Sequence, residues 1–176
     1  GRRKSCGPGG GPLVDCHRAA EALGMRGADH DVVVIGGGQV GLAVAYYLRR
    51  ADLDFVVLDA EQHPGGAWRH TWDSLRLFSP AGYSSLPGWP MPPSQTKGFP
   101  TRDEVTDYLT RYERRYGFPI ERPCEVDAVE PDGERLRIRL KDQRSLTARA
   151  VVSATGTWGA PYVPDYADRE LFGGIQ

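Results

Sequence analysis

The sequence predicts an α/β fold in which a parallel sheet with a crossover helix carries a three-stranded antiparallel β-meander. Three observations predict it. A β-branched run, Asp31-Val32-Val33-Val34-Ile35, leads straight into Gly36-Gly37-Gly38 and then into a helix-forming stretch. A second apolar run, Phe55-Val56-Val57-Leu58, follows at crossover distance and ends in Asp59. Further on, three alternating segments are joined by turns too short for anything but antiparallel pairing.

The first strand, turn and helix form a Rossmann-like pattern, with Gly36, Gly38 and Gly41 in the G-x-G-x-x-G spacing. Gly36 permits the tight turn, Gly38 lets the backbone approach a pyrophosphate, and Gly41 lets the helix pack close to the strand. Gly37, Gln39 and Val40 fill the remaining positions of the same turn. The helix start then offers unpaired N–H groups and a positive dipole end to phosphates. Asp59, 23 residues after Gly36, stands where an acid accepts hydrogen bonds from an adenosine ribose, with Ala60 next to it. The helix is expected to run to about Ala51, and Asp52-Leu53-Asp54 makes the return.

After Asp59, Gly65-Gly66-Ala67-Trp68-Arg69 suggests backbone held near a flat ligand, with Trp68 as a wall. From Thr71 to Pro100 the chain is loop-like, with six prolines and the aromatics Trp72, Phe78, Tyr83, Trp89 and Phe99. That aromatic content predicts a packed loop and a candidate wall of the active site. Thr101 and Glu104 then form a capping box. Val105, Tyr108, Leu109, Tyr112 and Tyr116 make an amphipathic stripe that reads as core packing. Gly117 ends this helix and Pro119 prevents its continuation.

The meander is expected as a strand from Cys124 to Val129, a Pro131-Asp132-Gly133 turn, a strand in which Leu136, Ile138 and Leu140 alternate with arginines, and a strand from Leu146 to Arg149. The arginines read as a solvated face and Cys124 as a small strand residue. A separate buried strand, Ala150 to Ser153, then ends in the small turn Ala154-Thr155-Gly156.

Composition excludes several function classes. The 176 residues carry a net charge of −1, so no basic field exists to hold nucleic acid. The longest apolar run, Val32 to Leu48, is broken by glycines and Gln39, which argues against a membrane span. Three cysteines without a C-x-x-C argue against a disulfide framework and a redox dithiol, and point to the cytoplasm. No metal site is expected. Residues 1–28 are expected to be a disordered extension, 29–158 the dinucleotide-binding domain, and 159–176 a linker toward a further domain. The final stretch, with nothing to close it, reads as cut short.

Taken together, Gly36-Gly-Gly38-Gln-Val-Gly41, Val57-Leu58-Asp59, Gly65-Gly66-Ala67-Trp68-Arg69, Ser153-Ala154-Thr155-Gly156-Thr157-Trp158 and Phe172-Gly-Gly174 resemble the FAD-binding part of the flavin-containing monooxygenase-like family, which includes Baeyer–Villiger monooxygenases. The resemblance implies a Rossmann-like FAD-binding domain, with Gly36, Gly38 and Gly41 at the FAD pyrophosphate and Asp59 at the ribose. Ala67, Trp68 and Arg69 would lie toward the flavin, the Val126 backbone would meet the adenine, and Ala154, Thr155 and Gly156 would mark the crossover to an NADPH domain. Phe172 and Gly174 would open the family's F-x-G-x-x-x-H signature, whose histidine would fall two residues past Gln176. The NADPH site would therefore lie mostly outside this chain. The implied activity is an NAD(P)H-linked oxidation of a small organic substrate through a C4a-hydroperoxyflavin. The alternatives are a non-catalytic dinucleotide-binding module or an inactive truncated product. Asp59 stands where glutamate is usual, and the asparagine that many flavin monooxygenases place near the flavin is not seen around Phe78-Ser79-Pro80.

Overall fold

A computed structural model describes residues 29–171, 173 and 174. The expectations for residues 1–28 and for Phe172 lie outside the described residues. Six strands form one sheet: β1 (Asp29–Ile35), β2 (Phe55–Leu58), β3 (Ile120–Glu121), β4 (Val126–Asp132), β5 (Arg135–Leu140) and β6 (Ser145–Ser153). Two α-helices accompany it, α1 (Gln39–Arg50) and α2 (Arg102–Tyr116). The strand order is β3-β2-β1-β6-β5-β4.

β1 sits at the centre of the parallel half, with Val34 opposite Val57 of β2 and Val152 of β6. A strand covered on both faces must be apolar throughout, and this explains the unbroken valines. Val32 and Val34 pack in one core with Leu42, Ala45, Val105, Tyr108, Leu109 and Tyr112 of the two helices. Val33 joins a second core on the other side, with Val56, Leu58, Ile138, Leu140 and Leu146. The meander thus covers the face that the helices leave open.

α1 ends at Ala51, whose N–H reaches the carbonyls of Tyr47 and Leu48. α2 starts at the capping box: the Thr101 side chain accepts from the Glu104 N–H, and the Glu104 carboxylate accepts from the Thr101 N–H. Gly117 closes α2 in the left-handed conformation, at φ 55°. The tyrosine stripe is core, and the Tyr108 and Tyr112 hydroxyls donate to the carbonyls of Trp89 and Pro87, tying the proline-rich loop to α2.

The structure corrects four expectations. The separate strands at Leu146–Arg149 and Ala150–Ser153 are one element, β6. Its first half pairs antiparallel with β5, while the strand as a whole pairs parallel with β1. Both edges of β6 carry hydrogen-bonding groups, so one extended segment serves both sheets without a break. The first meander strand begins at Val126, not Cys124, and runs through Pro131 to Asp132, so the turn falls at Gly133-Glu134. As β4 is an edge strand, the missing proline N–H costs no ladder bond. The short β3, absent from the sequence reading, pairs parallel with β2 beyond the α2 C-cap. Finally, Trp72, Phe78 and Tyr83 are exposed, Phe78 at 91%, so the loop is held by Trp89 and Met91 and not by all its aromatics.

Candidate functional site

The ends of β1, β2 and β6 open onto one cleft of about 570 Å³, lined by Gly36–Val40, Asp59, Glu61, Gly65–Trp68 and Ser153–Trp158. This volume falls in the range of ligand sites, and its place at the carboxyl ends of parallel strands is where open α/β sheets bind ligands.

The floor is backbone. Gly36 adopts φ 107°, and a Cβ there would lie 2.5 Å from the Ala154 carbonyl oxygen, so the β1 turn and the β6 turn touch through main chain. A Cβ on Gly41 would lie 1.9 Å from the Gly36 oxygen, which fixes this residue as the packing glycine behind the turn. A Cβ on Gly66 would lie 2.8 Å from the Gly38 Cα, so these two stretches of glycine backbone pack directly on each other at the cleft. No side chain caps α1 at Gly38, which leaves the first-turn N–H groups to the cleft. These are the donors and the close approach that a pyrophosphate requires.

The side walls are set by three contacts. Trp68 Nε1 donates to Gln39 Oε1 at 3.0 Å, joining the wall to the start of α1. The His70 Nε2–H donates to the Glu61 carboxylate at 2.6 Å, and the His70 ring stacks on Trp158 at 6.3 Å. Asp59, only 5% exposed, borders the cleft and takes Arg122 Nε and Nη2 at 2.8 and 2.6 Å on its Oδ2. Arg122 Nη1 in turn reaches both Glu113 oxygens, at 3.0 and 3.1 Å. Burial would lower the Arg122 pKa, but these two carboxylates outweigh it and hold the guanidinium above its ordinary value. A Cβ on Gly37 would strike this pair, 2.5 Å from Asp59 Oδ2 and 2.7 Å from Arg122 Nη2.

Gly36, Gly37, Gly38, Gln39, Val40, Asp59, Gly66, Ala67, Trp68, Ala154, Thr155 and Gly156 are thus brought to one cleft. Four other sequence candidates are not among its lining residues. Gly41 packs behind the turn, and Ala60 is exposed beside Asp59. Arg69 folds back over Gly65 toward the Pro64 carbonyl, at 3.4 Å. Val126 lies partly buried against the second core. Conversely, sequence reasoning missed Arg122 and Glu61. Nothing local could point to Arg122, which lies 63 residues from the carboxylate it grips. Among the described residues, no cluster of histidine, cysteine or carboxylate could hold a metal ion. Cys124 is buried just ahead of β4, and that burial pushes its thiol pKa up.

The profile of the pyridine nucleotide-disulphide oxidoreductase family matches residues 33–172. The chain belongs to this oxidoreductase family. The similarity runs through its flavin monooxygenases. A flavin-containing monooxygenase from Stenotrophomonas maltophilia is 58% identical and superposes with a TM-score of 0.78, over 84% of this chain and 44% of that one. A CzcO-like oxidoreductase of Geobacillus kaustophilus is 38% identical over 138 residues, covering 78% of this chain and 39% of the relative. A Baeyer–Villiger monooxygenase of Streptomyces coelicolor is 33% identical over 153 residues, 81% of this chain and 28% of the relative. The chain therefore spans about two fifths of the length of the first curated relatives. No C-x-x-C stands in the 176 residues. No helix among the described residues is long and apolar enough to cross a membrane.

Proposed function

We propose that this chain forms the FAD-binding part of a cytoplasmic, NAD(P)H-linked flavin monooxygenase-type enzyme that oxygenates a small organic substrate. The observation that carries the reading is the cleft whose floor is the Gly36–Gly38 backbone at the uncapped start of α1, with a buried acid at the end of the next strand. A Cβ at residue 36 would strike the Ala154 carbonyl and one at residue 66 would strike the Gly38 backbone, so only glycine lets these turns close up into that floor.

Bound FAD would supply the redox chemistry, taking reducing equivalents from a nicotinamide and activating O₂ for transfer to substrate. The chain's own residues bind and orient. The N–H groups of the α1 start and the Gly36–Gly38 backbone would hold the pyrophosphate, and Asp59 would accept from the adenosine ribose hydroxyls. Trp68, held by Gln39, would wall the flavin side together with Ala67, and the Ala154–Gly156 turn would close the floor opposite. Arg69 and the Val126 backbone are the weaker members of the set, since neither borders the cleft as it stands.

Purified protein should carry a yellow cofactor that heat releases as FAD, with flavin absorbance near one equivalent per chain. Binding of NAD(H) with no flavin would overturn the reading. The 176 residues alone should show no NADPH oxidation, because the family's nicotinamide-binding motif is not among them, and a clear rate would refute that division of labour.

A further inference from the structure

We infer that Arg122 is a positioning residue of the cofactor site: it holds the Asp59 carboxylate so that one oxygen alone faces the ribose. The inference deepens the FAD reading and rests on it. Arg–carboxylate pairs are frequently bidentate, with the fork spread across both oxygens. Here Nε and Nη2 both converge on Oδ2, at 2.8 and 2.6 Å. Oδ1 keeps only a long contact from the Glu61 N–H, at 3.4 Å, and so retains capacity to accept.

The grip is itself fixed. Nη1 of Arg122 is spent on Glu113, which stands on α2, so the guanidinium is anchored to a helix packed in the core. The Asp59 and Arg122 side chains are 7% and 9% exposed, so little of the pair is open to water. A carboxylate buried beneath Gly37 without this partner would carry an unpaired charge in a dry site. It would also be free to rotate, and a rotated carboxylate offers the ribose a different oxygen in a different direction. Arg122 therefore acts through Asp59, without needing to touch the cofactor.

The test uses the intact protein and two ligands, FAD and its 2′,3′-dideoxyadenosine analogue, with binding followed by flavin fluorescence and folding by thermal melting. Wild type should prefer FAD over the analogue, and Asp59→Asn should lose the preference. Arg122→Leu should weaken FAD about tenfold or more while leaving the analogue nearly unaffected, as expected when a charged hydrogen-bond acceptor is misplaced. The double variant should be no worse than Asp59→Asn, the sign that both residues act through one interaction. Arg122→Lys, which keeps the charge but not the fork, should restore folding more than it restores the preference. Full preference for FAD in folded Arg122→Leu would overturn the inference. If that variant does not fold, full preference in Arg122→Lys would do the same. A wild type that binds no FAD, or an Asp59→Asn variant with unchanged preference, would instead remove the cofactor reading beneath it.

Discussion

Two turns leave the same end of the sheet, at the carboxyl ends of parallel strands, and they are built differently. β1 and β6 are parallel neighbours, with Ile35 opposite Ser153, and each passes into a short glycine-containing turn. The turn after β1 is locked. Gly36 and Gly41 each abut backbone, Gly37 abuts a buried ion pair, and α1 follows at once. The turn after β6 is open: a Cβ on Gly156 meets nothing within 4 Å, and exposed irregular chain follows. The contrast teaches that of two glycine turns lining one cleft, the first is held rigid by its neighbours and the second is not. Only the first has neighbours that forbid change.

The contrast can be broken hardest at Gly41. Gly41→Ala puts a methyl 1.9 Å from the Gly36 oxygen, and backbone on both sides cannot yield cheaply. A loss of about 3 kcal/mol or more is expected, read by urea denaturation, together with loss of bound FAD. Gly66→Ala comes next: its Cβ would fall 2.8 Å from the Gly38 Cα and force the glycine backbone at the start of α1 out of place. FAD affinity should drop by at least about tenfold, roughly 1.4 kcal/mol, and a titration showing unchanged affinity would contradict the proposed placement of the pyrophosphate.

Gly36→Ala against Gly156→Ala sharpens the comparison, since both glycines have positive φ and only one is crowded. The left-handed backbone alone should cost about 1 kcal/mol at residue 156, and crowding should make residue 36 at least twice as costly. Equal melting shifts would mean that the two turns are alike after all.

The smallest effect lies far from both turns, at the α2 cap. Burial would push the Glu104 pKa up, but N–H donors of Thr101 and Gln95 and the Ser94 hydroxyl outweigh it and hold the carboxyl below its ordinary value. A depressed folded value contributes stability that is complete above the ordinary carboxylate pKa, about 4.3, and fades as pH falls through the folded one. Wild type should therefore exceed Glu104→Gln by about 1 kcal/mol at pH 7, with the gap shrinking below about pH 4 in urea titrations. A gap that grows on acidification would reverse the assignment. The cleft itself should feel little of this change.

How much of the site was legible in the sequence follows from how far apart its parts lie. Gly36, Gly38 and Gly41 are recognisable because a turn and the first turn of a helix are made by neighbours in the chain. Thr101 and Glu104 are legible for the same reason. β6 was misread as two pieces because its pattern changes midway, from a buried half paired with both β5 and β1 to a more exposed half paired with β1 alone, while its backbone continues unbroken. Phe78 and Tyr83 were expected to be packed on composition, and hydrophobicity alone does not say which aromatics of a loop turn inward.

By itself the sequence determined the local devices: the strand that ends in three glycines, the helix start that follows, the acid at the close of the next strand and the capping box. Each is fixed by short-range sterics and hydrogen bonding. The tertiary structure alone decided that β6 joins two sheets into one, that Gly66 comes to face Gly38, and that Arg122 reaches Asp59 from 63 residues away. Those are contacts between segments that share no local geometry, so they exist only once the cores on both faces of the sheet have brought them together.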